Sequence, residues 1–259
     1  MSAEDDCSLT SAGWPEIVRK IRARTPARIL VGRAGAAYRT RTQLDLRAAH
    51  ATARDAVRNE LSLKDALGAE FVQRWNLFEV STQASCKDEY LLRPGWGRRF
   101  SESSRALLRK RCSTNNRLQI AIGDGLSVAA VAAQVPPLLE ALERGAKTRG
   151  WSVGDVFVVR HCRVGILNEI GELLSPEVAI VLIGERPGLA TAESLSAYMA
   201  WRPAGNHTDA NRNLISNIHA RGINPEDAAV RILNLAAQMI KLGTSGWQLR
   251  ADLPSSINS

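Results

Sequence analysis

Two glycine-bearing segments carry the residues best suited to chemistry. Gly123-Asp124-Gly125-Leu126-Ser127 reads as the turn from a strand into a helix. Glycines let a ligand approach the backbone, and a helix start offers unpaired amide donors. A dinucleotide-binding GxGxxG fingerprint needs a sixth-position glycine, and Val128 stands there instead. A tight turn with Asp124 or Ser127 as helix cap accounts for the same residues. Gly184-Glu185-Arg186-Pro187-Gly188-Leu189 sets a carboxylate beside a guanidinium at the end of an apolar run. That carboxylate either accepts hydrogen bonds from amide or hydroxyl donors of a ligand or pairs with Arg186 to stiffen the turn.

Metal and nucleophile chemistry find less support. The histidines are His50, His161, His207 and His219, with no HExxH pair. Cys7, Cys86, Cys112 and Cys162 form no CxxC pair, which points away from a zinc knot or a disulfide scaffold. No GxSxG elbow announces a serine hydrolase. Asn217-Ile218-His219-Ala220-Arg221-Gly222 differs from the D-x-H-x-x-G pattern of cobalamin domains that donate a histidine to cobalt. The missing residue is the carboxylate that would orient a metal-binding imidazole, so a structural histidine is expected.

These segments need strands to carry them. Leu118–Ile122 and Asp155–Val159 are strand candidates, Val178–Ile183 is the strongest strand, and Leu195–Trp201 is a further candidate. The run at 178–183 is continuous and rich in β-branched residues, as expected of a parallel strand covered on both faces. Helices are expected after Ser127, broken in two by Pro136-Pro137, over residues 166–174, and from Asn224 to Gly243. In the last, Asn224 suits the cap, Pro225 the first turn and Gly243 the end. The alternation implies an α/β fold, a Rossmann-like doubly wound sheet over residues 115–243. A mostly helical N-terminal region over 26–114 precedes it.

In that region helices are expected over 41–59, capped by Thr40 or Thr42, within 60–80, and over 101–112 behind Ser101. Leu44, Leu46, Ala49, Ala53 and Val57 mark one face of the first. Short extended runs are expected at 28–31 and 90–95. Residues 1–25 read as a loosely ordered lead-in, with Trp14, Ile17, Val18 and Ile21 at helical spacing, and 244–259 as a tail. Ligands of such sheets bind beyond the carboxyl ends of the strands, which directs attention to the loops at 123–127, 160–165 and 184–188.

Composition bounds the function classes. The chain has 259 residues, 45% hydrophobic and 23% charged, which is rich enough for a packed core and excludes wholesale disorder. No apolar run approaches the roughly 20 residues of a membrane-spanning helix. The acidic start has no secretory character, and a reducing cytoplasm is the expected location. A formal charge of +8 invites a nucleic-acid reading, yet 28 of the 34 basic residues are arginine, a skew that coding bias alone produces. A basic Rossmann-like module binding nucleotides or RNA without catalysis is the alternative. It lacks the stacking aromatics and dense basic runs of RNA-binding modules.

Several segments together resemble the small (light) subunit of ethanolamine ammonia-lyase. They are ILVGRAG and RTRTQL within 29–44, YLLRPGWGRRF at 90–100, LQIAIGDGLS at 118–127 and FVVRHCRVGI at 157–166. IGELLSPEVAIVLIGERPGL at 170–189, ESLSAYMAW at 193–201 and LISNIHARG at 214–222 follow, so the resemblance spans about residues 26–243. It implies an adenosylcobalamin-dependent lyase that converts ethanolamine to acetaldehyde and ammonia. A large barrel subunit would hold the substrate and the radical-handling residues. The small subunit would hold the cofactor at the interface, with no catalytic residue of its own. The cofactor would keep its own dimethylbenzimidazole on cobalt, so no protein lower ligand and no protein metal site are expected. Carried over by motif, cofactor contacts fall at Val164, Glu185 and Leu214, the last being a cysteine in many relatives. The expected partner is the large subunit in a hetero-oligomer, a dodecamer by resemblance, with neither nucleic acid nor membrane involved. Relatives working inside a bacterial microcompartment often carry a longer amphipathic leader. The leader here is short and acidic at its tip, so strong encapsulation is not expected, although the helical spacing at 14–21 leaves it open.

Overall fold

A computed structural model describes residues 15–25, 28–188 and 191–249. Cys7, Trp14, Leu189, the first part of the expected lead-in and the tail from residue 250 lie outside the described residues. Ile17, Val18 and Ile21 fall in α1 (Glu16–Ala23), which has no buried residue. A two-residue hairpin follows, β1 (Arg33–Ala34) against β2 (Ala37–Tyr38). The run at 28–31 precedes it without regular structure.

Helix α2 (Thr40–Arg58) buries nothing fully. Leu46, Ala49, Ala53 and Val57 are half-buried as its spacing predicts, whereas Leu44 is exposed. Arg39 takes the cap position and neither Thr40 nor Thr42 serves. Residues 60–80 are not purely helical. After α3 (Leu63–Leu67) and α4 (Ala69–Arg74) the chain turns at Asn76 and enters β3 (Phe78–Ser81). Tyr90 to Leu92 are not extended either, because α5 (Lys87–Leu92) takes them up. Helix α6 (Glu102–Arg111) starts where Ser101 accepts the Ser104 amide.

The sheet then builds from β4 (Leu118–Gly123), β5 (Phe157–Arg160), β6 (Val178–Gly184), β7 (Leu195–Trp201) and β8 (Asn213–Ile218). Its order is β3-β5-β4-β6-β7-β8. The first four strands in that order are parallel, and β7 runs antiparallel to its neighbours β6 and β8. Every residue of β4 and β6 is buried, and β6 accordingly reads as an unbroken apolar run, while β4 carries one buried polar residue, Gln119. Helix α7 (Val128–Thr148) links β4 to β5, and α8 (Ile166–Leu174) links β5 to β6.

The two faces have separate cores. Ile120, Ile122, Ile180 and Leu182 meet α7 and α9 (Pro225–Leu242) on one face. Ala121, Val159, Val181 and Ile183 meet α6 and α8 on the other. The Rossmann-like α/β architecture is therefore present, with a helical N-terminal region that also supplies the sheet's first strand.

One expectation about α7 is overturned. The helix runs through Pro136 and Pro137 without breaking. Two prolines remove two helix donors. Val135, Leu138 and Leu139 are fully buried in the core, and that packing outweighs the lost bonds. The capping expectations for α9 hold: Asn224 accepts from the Asp227 amide at 2.9 Å, and Gly243 ends the helix at φ +64.

Candidate functional site

Strands β5 and β6 lie on opposite sides of β4, so the chain leaves β4 one way and returns the other. A crevice opens at such a switch point, outside the strands' carboxyl ends. Here it has a volume of about 390 Å³. Val164 of the loop after β5, Glu185 of the loop after β6 and Leu214 of β8 all line it. Three residues separated by 21 and 29 positions in sequence are thus brought to one cavity.

The glycines of the loop after β4 serve packing. Gly125 has φ +56, and a Cβ there would collide with the Gly184 carbonyl. A Cβ on Gly184 would in turn strike the backbone of Ser127. The Leu126 amide donates to the Gly184 carbonyl at 3.1 Å. Ser127 caps α7 by accepting the Ala130 amide, and its hydroxyl donates to the Ala192 carbonyl. The tight-turn reading of this segment is the one the structure bears out.

Asp124 does something the sequence did not disclose. It is 1% exposed. Its Oδ2 accepts the His161 amide and its Oδ1 the Cys162 amide, each at 2.8 Å. The loop carrying Arg163 and Val164 hangs from those two bonds. Lys87 of α5, 7% exposed, donates from Nζ to the Gly125 carbonyl at 3.2 Å. Burial pushes the Asp124 carboxyl above its ordinary range, opposed by the positive charge of Lys87. Burial pushes the Lys87 ammonium down, opposed by Asp124. Each charge makes the other tolerable in a site poor in water.

Segment 90–100 supports the same loop from outside. The Tyr90 hydroxyl donates to the Cys162 carbonyl at 3.1 Å. Arg163 lies over the Tyr90 ring, 4.4 Å from its centroid. The Arg163 amide donates to the Gly97 carbonyl at 2.8 Å, and a Cβ on Gly97 would crowd the His161 carbonyl.

Glu185 is a three-way acceptor. Its Oε2 accepts the Ser194 hydroxyl at 2.8 Å, and its Oε1 accepts the Ser196 hydroxyl at 2.6 Å and the Asn217 amide at 2.9 Å. A carboxylate offers about four lone-pair positions, so one on Oε2 is left without a protein donor among the described residues. Among the described residues no ion pair joins Glu185 to Arg186. Glu185 instead ties its loop to the antiparallel strands β7 and β8. Leu214 is 46% exposed and sits opposite Tyr198 of β7. Leu214 and Tyr198, with Val164, give the crevice its apolar wall.

His219 lies outside this cavity and is locked. Its Nδ1 accepts the Arg221 amide at 3.2 Å, so Nε2 carries the proton and donates to Asn217 Oδ1 at 2.7 Å. Both nitrogens are committed to backbone and side chain within the turn. Among the described residues no group of three His, Cys, Asp or Glu side chains is placed to hold a metal ion. Among them, too, no helix is long and apolar enough to cross a membrane.

Comparison with known proteins gives a consistent result. Residues 15–250 match the family model of the ethanolamine ammonia-lyase light chain. The ethanolamine ammonia-lyase small subunit of Clostridium perfringens is 41% identical over 235 residues, covering 91% of this chain and 78% of that protein. The small subunit of Clostridioides difficile is 42% identical over 230 residues, 89% of this chain and 76% of that one. That of Fusobacterium nucleatum is 40% identical over 242 residues, 93% and 80%.

Proposed function

Because the chain belongs to the ethanolamine ammonia-lyase light-chain family, we propose that it holds adenosylcobalamin at an interface with a large catalytic subunit. The observation that carries this reading is the convergence of Val164, Glu185 and Leu214 on one crevice at the sheet's switch point. The residues fit a corrin. An apolar wall of Val164, Leu214 and Tyr198 suits the macrocycle, and the free position on Glu185 Oε2 suits a peripheral amide N–H. A committed His219 suits a cofactor that brings its own lower base. A corrin is also too large for a cavity of about 390 Å³, so most of it would lie across the mouth and need a second chain to cover it.

When bound, adenosylcobalamin supplies a cobalt–carbon bond that splits homolytically, and with it the radical chemistry that turns ethanolamine into acetaldehyde and ammonia. This chain's own residues move no proton. Glu185 would orient the ligand by accepting from it, the Asp124 clamp holds Val164 in place, and the apolar wall would keep water from the macrocycle. The partner is the large subunit, in an assembly of several heterodimers that we take to be a dodecamer. The cytoplasm, or a bacterial microcompartment within it, is the setting.

Co-expression with the large subunit, addition of adenosylcobalamin and measurement of acetaldehyde test the reading. Activity is expected only with both chains, and full activity from the large subunit alone would refute it. Glu185→Ala is expected to weaken cobalamin binding about tenfold, the size of one lost hydrogen bond to a charged group, while leaving the two chains associated. Unchanged affinity would count against the assignment.

A further inference from the structure

Glu185 spends three of its acceptor positions on the protein, yet the crevice keeps its cations unspent. Arg163 lines the cavity and donates from one terminal nitrogen to the Tyr90 carbonyl at 2.9 Å, while its Nε is buried with no hydrogen-bond partner. Arg186 lines the same cavity and is exposed. Arg98 lies against Gly165, the residue after Val164. Among the described residues none of these three arginines has a carboxylate within ion-pair distance. The neighbouring acids are accounted for: Asp124 is balanced by Lys87, and Glu185 is sunk in two hydroxyls and an amide. The crevice is thus left positive, with guanidinium donors unused on half-buried Arg163 and on exposed Arg98 and Arg186. Neutral peripheral amides do not require that.

The geometry points to a phosphodiester: Arg163, helped by Arg186, recognises the anionic phosphate of the ligand that Glu185, Val164 and Leu214 hold. Guanidinium groups pair with phosphate through charge-assisted N–H bonds, and among the described residues Arg163 keeps its Nη1, and Arg186 its whole guanidinium, free of any protein acceptor. The inference rests on the cofactor-holding reading, since cobalamin carries one such phosphate in the loop that joins its corrin to its lower base. This subsite would make the chain read the nucleotide end of the cofactor as well as its ring. A free nucleotide offers the same chemistry, so the test must separate the two sources.

The two-chain complex is titrated with cobinamide and with cobinamide phosphate, which differ by the phosphate, and binding is followed by absorbance or calorimetry. The wild type is expected to bind cobinamide phosphate about tenfold more tightly, as one charge-assisted pair provides. That ratio should fall to near one in Arg163→Met with Arg186→Met. Arg186→Met alone, at an exposed position, should lower it part of the way and keeps the test open if the double variant folds poorly. Glu185→Ala should weaken both ligands alike and leave the ratio intact. A wild-type ratio near one, or a ratio unmoved by the arginine variants, overturns the subsite while the cofactor-holding reading stands. Failure of the complex to bind either ligand overturns both. Tight binding of ATP that cobalamin does not displace assigns the arginines to a free nucleotide and overturns the proposal.

Discussion

Asp124→Asn is nearly isosteric, and the structure says it should be costly. The two carboxylate oxygens each take one backbone amide, from His161 and Cys162, at 2.8 Å. An asparagine offers one oxygen and one NH₂, so whichever amide meets the NH₂ loses its acceptor. Leaving a buried donor unpaired costs about 1–3 kcal/mol. Lys87, which forms no ion pair with Asp124 but whose burial that charge partly offsets, loses this compensation. A net loss of about 1–3 kcal/mol is expected, against a typical total of about 5–15 kcal/mol. Urea unfolding of the full chain reads it as a midpoint lowered by about 0.5–1.5 M. Lys87→Met should also destabilise, and the double variant should cost less than the two singles together, because neither charge is then left alone. An Asp124→Asn midpoint within about 0.3 M of the parent, or single effects that simply sum, would refute the reasoning.

Other perturbations probe neighbouring parts of the site. Gly125→Ala should cost at least about 2 kcal/mol, since it combines a positive φ with a collision at the Gly184 carbonyl, and an unshifted thermal midpoint would refute the interlocked-turn argument. Leu214→Asp should weaken cobalamin binding by placing a carboxylate on the crevice wall, yet leave the thermal midpoint nearly unchanged, because the residue is 46% exposed. Burial pushes the Cys112 thiol up to about 12 from an ordinary value of 9.0. A raised folded pKa contributes stability that is full below 9.0 and is lost as pH climbs towards 12, so Cys112→Ala should flatten the fall in urea midpoint over that window. At pH 8 a thiol reagent should label exposed Cys86 and spare buried Cys112 and Cys162, which Cys86→Ser tests by removing one fast-reacting thiol.

What could be read from the sequence was whatever is encoded locally. The Asn224–Pro225 start and Gly243 stop of α9, the Ser101 cap of α6 and the fully buried run of β6 each need only adjacent residues to explain them. Strand β3 was hidden because its Phe78-Glu79-Val80-Ser81 alternation covers only four residues, and its partner β5 lies far along the chain. Strand β8 was hidden for the opposite reason. It is an edge strand half open to solvent, so no apolar run announces it. Residues 90–92 form a helical turn in which Tyr90 is fully buried by tertiary contacts, which outweigh the neighbouring Pro-Gly pair.

The site divides along the same line. Glu185 stood out because it ends a buried strand at a place where ligands bind, and the serines that hold it, Ser194 and Ser196, sit two residues apart and so point to one face of β7. Asp124 stood out too, but its proximity to a helix start suggested a cap, and the true cap is Ser127. A carboxylate between two glycines at the end of a fully buried strand was the available signal. What it lacked was a partner, since the amides it binds lie 37 and 38 residues away and Lys87 lies 37 residues before it. Only the β4–β5 pairing and the packing of α5 bring those groups together. This is also why the clamp and the crevice wall cannot be separated. The crevice residues proposed to hold the cofactor are positioned by Asp124 on the sheet and by Lys87 and Tyr90 of the segment that precedes it, so the N-terminal helical region takes part in building the crevice rather than merely leading up to it.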